Sequence, residues 1–318
     1  MWLAFRSVDF KELYEELKEA NYLWLLLSIF FGLIAYLSRA RRWMLLINPL
    51  GHKPTFLNSF NALMVGYLAN LVLPRIGEIT RCVALGKKEK MPVDKLIGTV
   101  IIERVIDSVS LVIIMIVMIF TSSLEIRSFM KESIMNPIEQ GIVSVFGSAW
   151  ILWVAFFALV AATLILMIVY RRSLRKIKFF AKLFDVIKGI IDGLTTITNL
   201  ERKGEFIFHT VLIWISYLLM TWVVVFSLKA TAHLTISDSI FLLVIGGLAM
   251  VVPVQGGFGA FHYIISRGLL IVYAIPLKDG LTYALLAHTS QLILVVITGI
   301  IAFFLIFKKQ PKSEIPDG

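Results

Sequence analysis

Between residues 21 and 307 the chain is a succession of apolar stretches, at about 21–38, 55–73, 97–120, 141–169, 206–228, 239–252, 258–275 and 280–307. Some 20 residues of α-helix, at about 1.5 Å per residue, cross a hydrocarbon core of ~30 Å. Most of the stretches reach that length. Hydrophobic residues make up 58% of the chain and charged residues 16%, which is more apolar surface than a water-soluble domain of this size can hide. The expected fold is an all-α polytopic membrane protein with roughly seven to eight membrane segments. The whole chain, 1–318, forms one integral membrane domain. It divides into an amphipathic N-terminal helix (1–20), a first half (21–170), a basic connector (171–205), a second half (206–307) and a tail (308–318).

Composition also excludes functions. The connector is the longest stretch outside the membrane and is too short for a nucleotide-binding or acyltransferase domain. The one cysteine, Cys82, forbids an intramolecular disulfide, and the five histidines show no metal-ligand spacing, so no metal or cofactor is expected. The net charge of +10 is the ordinary signature of basic cytoplasmic loops rather than of nucleic-acid binding.

Lysine and arginine set the expected orientation. They crowd 39–54, 75–96, 171–205 and the tail, whereas 121–140 holds Arg127 and Lys131 against Glu125, Glu132 and Glu139. The positive-inside rule places the four basic stretches, and hence the C-terminus, in the cytoplasm. Both flanks of 55–73 then lie on one side, and that segment ends in Pro74. It either dips into the membrane and returns or crosses against the charge rule. The second half is equally open. After 206–228 it holds either three full crossings or one crossing and a hairpin with "VPVQGGFG" (252–259) at its tip. Such paired interruptions in two halves point to a substrate site where the halves meet. Two amphipathic stretches complete the pattern. Leu174, Ile177, Ala181, Phe184, Ile187, Ile191 and Leu194 recur at helical spacing, as for a helix on the anionic leaflet or a solvated connector. Phe10, Leu13 and Leu17 mark a short acidic helix expected outside.

The charged groups within apolar segments carry the functional argument. From Ser108 to Leu124 there are only 17 residues, about 25 Å of helix, so Asp107, Arg104 and Glu103 lie at membrane depth. Charges there cost roughly 2.5–3.5 kcal/mol each and seek partners. They form either a self-satisfied ion pair or the lining of a polar site. In "NLVLPRIGEITR" (70–81) Pro74 and Gly77 break the helix and a new one starts near Gly77. Arg75 and Arg81 flank that start, and Glu78 can tether Arg81 at i+3 while the other arginine stays available. This reads as a phosphate cradle at the cytoplasmic mouth of a cavity, or as a basic loop with one capping glutamate. In the second half Gln255, His262 and Arg267 accompany three glycines that serve either ligand approach or close packing. "HTSQ" (288–291) is expected to join helices.

"RARRW" (39–43), "NLVLPRIGEITRCVAL" (70–85), "ERVIDS" (103–108) and "VPVQGGFGAFH" (252–262) occur in order along nearly the whole chain. Together they resemble the flippase-like membrane domain family, which includes the membrane part of lysylphosphatidylglycerol synthase and relatives of archaeal dolichol-phosphate glycosyltransferases. The resemblance implies pseudo-symmetric halves in a prokaryotic cytoplasmic membrane, handling lipids with charged or sugar-bearing head groups. It also implies that Asn70, Pro74, Arg75, Gly77, Glu78, Arg81, Glu103, Arg104 and Asp107 belong to a polar core. Two departures stand out. The Gly-rich motif of the family usually ends in glutamate, where Ala260-Phe261-His262 stands here. Members also usually carry a helix upstream of the amphipathic segment, and here the chain starts at "MWLAFRSVDF".

The expected function is binding or translocation of an anionic phospholipid or polyprenyl-phosphate lipid. Arg75, Arg81 and Arg104 would contact phosphate, and Glu103 and Asp107 would orient them. The substrate-site candidates are therefore Asn70, Arg75, Glu78, Arg81, Glu103, Arg104, Asp107, Gln255, His262 and Arg267, with no catalytic residue among them. The alternative is a membrane component of a glycosyl- or aminoacyl-lipid transferase system, alongside a partner lipid-modifying enzyme. No D-x-D motif or nucleotide loop supports catalysis within this chain.

Overall fold

A computed structural model of the chain describes residues 10–147, 154, 158–159, 178–252 and 254–307. Four long helices frame it: α2 (Tyr22–Ile47), α5 (Val93–Thr121), α9 (Lys203–Val225) and α12 (Leu277–Phe307). At 23 to 31 residues each, they span ~35–47 Å, enough to cross a bilayer. α2, α9 and α12 have the length and composition of membrane spans, and α5 differs by its central charges. Large apolar side chains such as Leu26, Phe30, Ile113 and Phe304 are exposed, whereas Arg39, Arg42, Arg81 and Glu103 are buried. A chain that is apolar outside and charged inside takes lipid as its solvent.

Residues 55–89 do not cross. α3 (Phe56–Val72) ends at Leu73, the chain turns through Pro74 and Arg75, and α4 (Gly77–Glu89) runs back. The return is tied at its base: the Glu89 carboxylate accepts hydrogen bonds from the Thr55 N–H at 3.0 Å and from Asn58 Nδ2 at 2.7 Å. Glycine allows the two helices to touch, since a Cβ on Gly77 would stand 2.1 Å from the Gly66 carbonyl oxygen. Pro74 has no N–H to continue α3, and Arg75 takes a left-handed φ of 62°.

A second hairpin follows α9. α10 (Ile236–Ala249) opens with a capping box in which Thr235 and Asp238 satisfy each other's backbone. α11 (Ala260–Tyr273) returns antiparallel, with Gly246 against Phe261 and Gly268 against Ile245 and Phe241. The base of this hairpin lies beside α1 (Phe10–Glu19) and the start of α12, opposite the basic ends of α2 and α4. There Asn21 N–H donates to the Ser227 carbonyl at 2.9 Å, and Glu16 pairs with Lys278 at 3.0 Å. The two hairpins thus enter from opposite faces. α12 packs on both: its first half joins the core of the second hairpin through Tyr283, Ala284 and Leu286, and its second half joins that of the first through Leu294, Val295 and Ala302.

The apolar stretches place most helices well, with one consequential difference. α2 continues to Ile47 rather than ending near residue 38, so Arg39 and Arg42 are helical and buried rather than in a basic loop. Outside the four long helices, α6 (Leu124–Met130), the π-helical turn Lys131–Met135 and α7 (Asn136–Gly147) lead into the 141–169 stretch, most of which lies outside the described residues. In the basic connector, α8 (Lys178–Leu194) packs across the basic end of α5 through Gly193 on Gly98. Ile187 and Ile191 remain exposed. Leu174 and Ile177 lie outside the described residues, as do Phe10, the first residue of α1, and Leu13 as regards their side chains. Leu17 packs on the core.

Candidate functional site

Arg39 and Arg42 lie one turn apart on one face of α2, and Glu103 and Asp107 do so on α5. The faces meet. Arg39 reaches Glu103 Oε1 at 2.9 Å through Nη1 and Asp107 Oδ2 at 2.7 Å through Nη2, and its Nε donates to the Tyr217 hydroxyl of α9 at 2.6 Å. Arg42 Nη2 donates to Asp107 Oδ1 at 2.5 Å. From α4, Arg81 Nη1 lies 3.1 Å from Glu103 Oε2, and the Arg81 guanidinium sits 4.8 Å from the centre of the Trp43 ring. Glu103 is the tenth residue beyond the start of α5, ~15 Å along the helix. The cluster is therefore deep, and its charges are stabilised by one another rather than by water.

The network is not neutral. Arg39, Arg42 and Arg81 face only Glu103 and Asp107. Next to it Arg104 Nη2 stands 3.5 Å from Glu78 Oε1, a long pair at a partly exposed position. Arg75 is exposed and donates to the Val251 carbonyl at 2.6 Å. Five guanidinium groups thus share three carboxylates, an excess of two positive charges among the described residues. Arg81 Nε and Nη2 and Arg104 Nε have no hydrogen-bond partner there.

Above the network opens a cavity of about 850 Å³, within the range of ligand sites. Arg39, Asp107 and Tyr217 line its floor, and Ser28, Gln291 and His288 stand higher on its walls. It reaches the surface where Pro74, Arg75, Ser108, Met250 and Val251 line it and are themselves exposed. Its neighbours Val72, Leu73 and Val252 are exposed apolar residues, so this mouth faces sideways into lipid depth. The two hairpin tips meet at it. Besides the Arg75 contact, Gln255 Nε2 donates to the Val72 carbonyl at 3.3 Å, and His288 Nε2 lies 2.8 Å from the Gly256 carbonyl.

The ten candidates from sequence divide by position. Asn70, Arg75, Glu78, Arg104 and Asp107 line the cavity, with Arg81 and Glu103 in the network below. Gln255 bridges the tips. His262 sits behind the wall, its ring centre 5.0 Å from that of His288 and stacked on Phe258. Arg267 is not brought to the cavity and lies over the Tyr263 ring at 5.7 Å. Three local expectations take another form. Glu78 pairs with Arg104 of the neighbouring helix rather than with Arg81. The Gly77 N–H is occupied by Asn70 Oδ1 at 2.7 Å, so guanidinium groups rather than that amide are left to meet an anion. The Arg75 turn stands ~25 Å from the hairpin base by the length of α3, far from the basic face rather than at it. Sequence reasoning left out Arg39, Arg42 and Tyr217. The first two had a signal, since their i,i+3 spacing puts them one turn apart on a helix, as the i,i+4 spacing does for the two acids Glu103 and Asp107 on another segment. Tyr217 had none. His288 and Gln291 appeared only as expected links between helices; Gln291 Nε2 indeed donates to Ser28 Oγ at 3.2 Å. Among the described residues no group of three or more potential metal ligands occurs.

Residues 1–299 match the family model described as the lysylphosphatidylglycerol synthase TM region. A relative from Methanocaldococcus jannaschii, described as "UPF0104 membrane protein MJ1595", is 23% identical over 312 residues, covering 92% of this chain and 87% of that protein. No solved structure matches. With the family model covering nearly the whole chain, this protein belongs to the lysylphosphatidylglycerol synthase transmembrane-region family.

Proposed function

We propose that the protein binds the phosphate head group of an anionic membrane lipid, a phospholipid or a polyprenyl-phosphate-linked lipid, in the central cavity and moves it between leaflets. In this reading the basic ends of α2, α4 and α5 face the cytoplasm. The observation that carries it is the excess of buried guanidinium charge beneath a cavity with a lateral, apolar-rimmed mouth. Inward-facing charge at membrane depth is expensive and marks a substrate path, and guanidinium forks suit phosphate oxygens. The paired hairpins support translocation over simple binding, because an interrupted element in each half is how transporters place a site near the midplane.

The test is leaflet exchange of fluorescent phosphatidylglycerol in proteoliposomes. Wild-type protein is expected to accelerate exchange over protein-free vesicles. Arg39→Ala and Asp107→Asn are expected to lower it at least ten-fold in protein that still elutes as a folded species. Exchange at the wild-type rate in both variants removes the site. Release of a glycosyl or aminoacyl product by the purified chain would replace the transport reading with an enzymatic one.

A further inference from the structure

On the outer side of the wall between α4 and α5 runs a second concavity of about 410 Å³. Ile79 of α4 and Ile97, Ile101, Val105 and Val109 of α5 form its sides. The last three repeat at four-residue intervals, so they form one stripe along the helix, and together with Ile79 they are exposed. Three residues, Glu78, Arg104 and Ser108, line this groove and the central cavity alike. The two spaces therefore adjoin at the Glu78–Arg104 pair.

We propose that this groove is the entry track for the hydrocarbon chain of the guest lipid: the chain lies along Ile101, Val105 and Val109 while the phosphate passes Arg104 into the cavity. The proposal rests on the lipid reading above and names its route. Charge and apolarity are sorted in the way an amphiphile requires. The groove itself offers hydrocarbon contact only, and its charged border carries the cation that a phosphate seeks. A water-soluble anion gains nothing from such a groove, whereas a lipid keeps its chain out of water throughout. The closure at the border is weak, because a partly exposed ion pair at 3.5 Å contributes little. An arriving phosphate replaces Glu78 as the partner of Arg104, whose Nε has no other hydrogen-bond partner among the described residues.

The experiment uses the unaltered chain in phosphatidylglycerol nanodiscs containing a trace of phosphatidylglycerol with a diazirine in its acyl chain. Irradiation and peptide mapping are expected to place cross-links on Ile79, Ile101, Val105 and Val109 several-fold more often than on the exposed apolar face of α12 at Phe303 and Phe304. Equal labelling of the two faces overturns the groove. A second arm fills the groove with Val105→Trp, which is expected to lower leaflet exchange about ten-fold, while Phe304→Trp on the exposed face of α12 keeps it within two-fold; an equal effect of the two overturns the groove. The arms separate this proposal from the one it rests on. Enriched cross-links without exchange by the wild-type chain sustain the groove and sink transport. Exchange by the wild-type chain with even labelling sustains transport and sinks the groove.

Discussion

The two hairpins use one backbone plan for different chemistry. Each is a pair of short antiparallel helices packed through glycine, with a turn that ends at the mouth of the cavity. The first carries Arg75, Glu78 and Arg81 at and just after its turn. The stretch 250–259 of the second carries no charge at all and contributes carbonyls, those of Val251 and Gly256, to Arg75 and His288. Left-handed backbone is taken by arginine in the first turn and by Gly256, Gly257 and Gly259 in the second. The second tip therefore serves as shape and acceptor, and the first as the charged arm. In the reading proposed above, a single anion site follows from this difference, because only the first hairpin carries ions at its turn.

The largest effect should come from Glu103, which meets three arginines. Glu103→Gln leaves those cations buried with Asp107 alone. Removing one partner of a buried pair typically costs about 3–5 kcal/mol. The expected outcome is a variant that fails to accumulate or melts far below wild type in detergent. No comparable polar substitution in the second hairpin should do so, and Gln255→Ala is the matched control. A Glu103→Gln variant as stable as Gln255→Ala would mean that the charge asymmetry between the hairpins has no energetic content.

Next in size is the packing of the hairpins themselves. A Cβ on Gly77 would meet backbone, 2.1 Å from the Gly66 carbonyl, whereas one on Gly246 would meet the Phe261 ring at 2.9 Å. Backbone cannot step aside and a ring can turn. Gly77→Ala should cost about 1–3 kcal/mol, the range of overpacked cores, and Gly246→Ala less than about 1.5 kcal/mol. Thermal unfolding of the two variants side by side reads the difference, and equal shifts would show that both pairs of helices separate with the same ease.

Much of this was legible in the residues. Pro74 and Gly77 announce the first break because one lacks a donor and the other lacks a Cβ, and the charge on both flanks of 55–73 argues for a return. Asp107 was placed at depth by counting the apolar residues after it. Arg39 and Arg42 were not found, because hydropathy ends a segment at the first charge, whereas here the helix continues and the arginines turn inward. The Glu78–Arg104 pair lies between helices, and nothing in either segment names its partner. Arg267 stands out because a lone arginine in an apolar stretch usually faces a site; in the fold it lies over Tyr263 instead, partly buried, where a long side chain can reach toward an interface.

A smaller effect separates strain from contact at the first turn. A non-glycine residue in the left-handed region costs about 1–2 kcal/mol, and Arg75 recovers this through its bond to Val251. Arg75→Gly removes both terms, so its stability should stay within about 1 kcal/mol of wild type, while Arg75→Ala keeps the strain and loses the bond. Arg75→Ala is therefore expected to be the less stable of the two, and both should exchange lipid more slowly. If Arg75→Gly exchanges at the wild-type rate, the arginine is only a tie between the tips and the second hairpin needs no charged counterpart.

The smallest effect lies at the hairpin bases, which close differently. The second is capped within one turn by Thr235 and Asp238. The first depends on Glu89 reaching across to Thr55 and Asn58. Partial burial pushes the Glu89 carboxyl upward, but the hydrogen bonds from Asn58 and Thr55 outweigh it and hold the group below its ordinary value of 4.5. A carboxylate lowered by folding adds stability that is fully present above the unfolded value and fades as pH falls through the folded one. Glu89 is only partly buried, so solvent screens the clasp and its contribution is under about 1 kcal/mol. Glu89→Gln should therefore melt slightly below wild type at pH 7, and the two melting curves should converge as pH falls below 4.5. A gap that does not narrow as pH falls would mean that the clasp works through shape rather than charge.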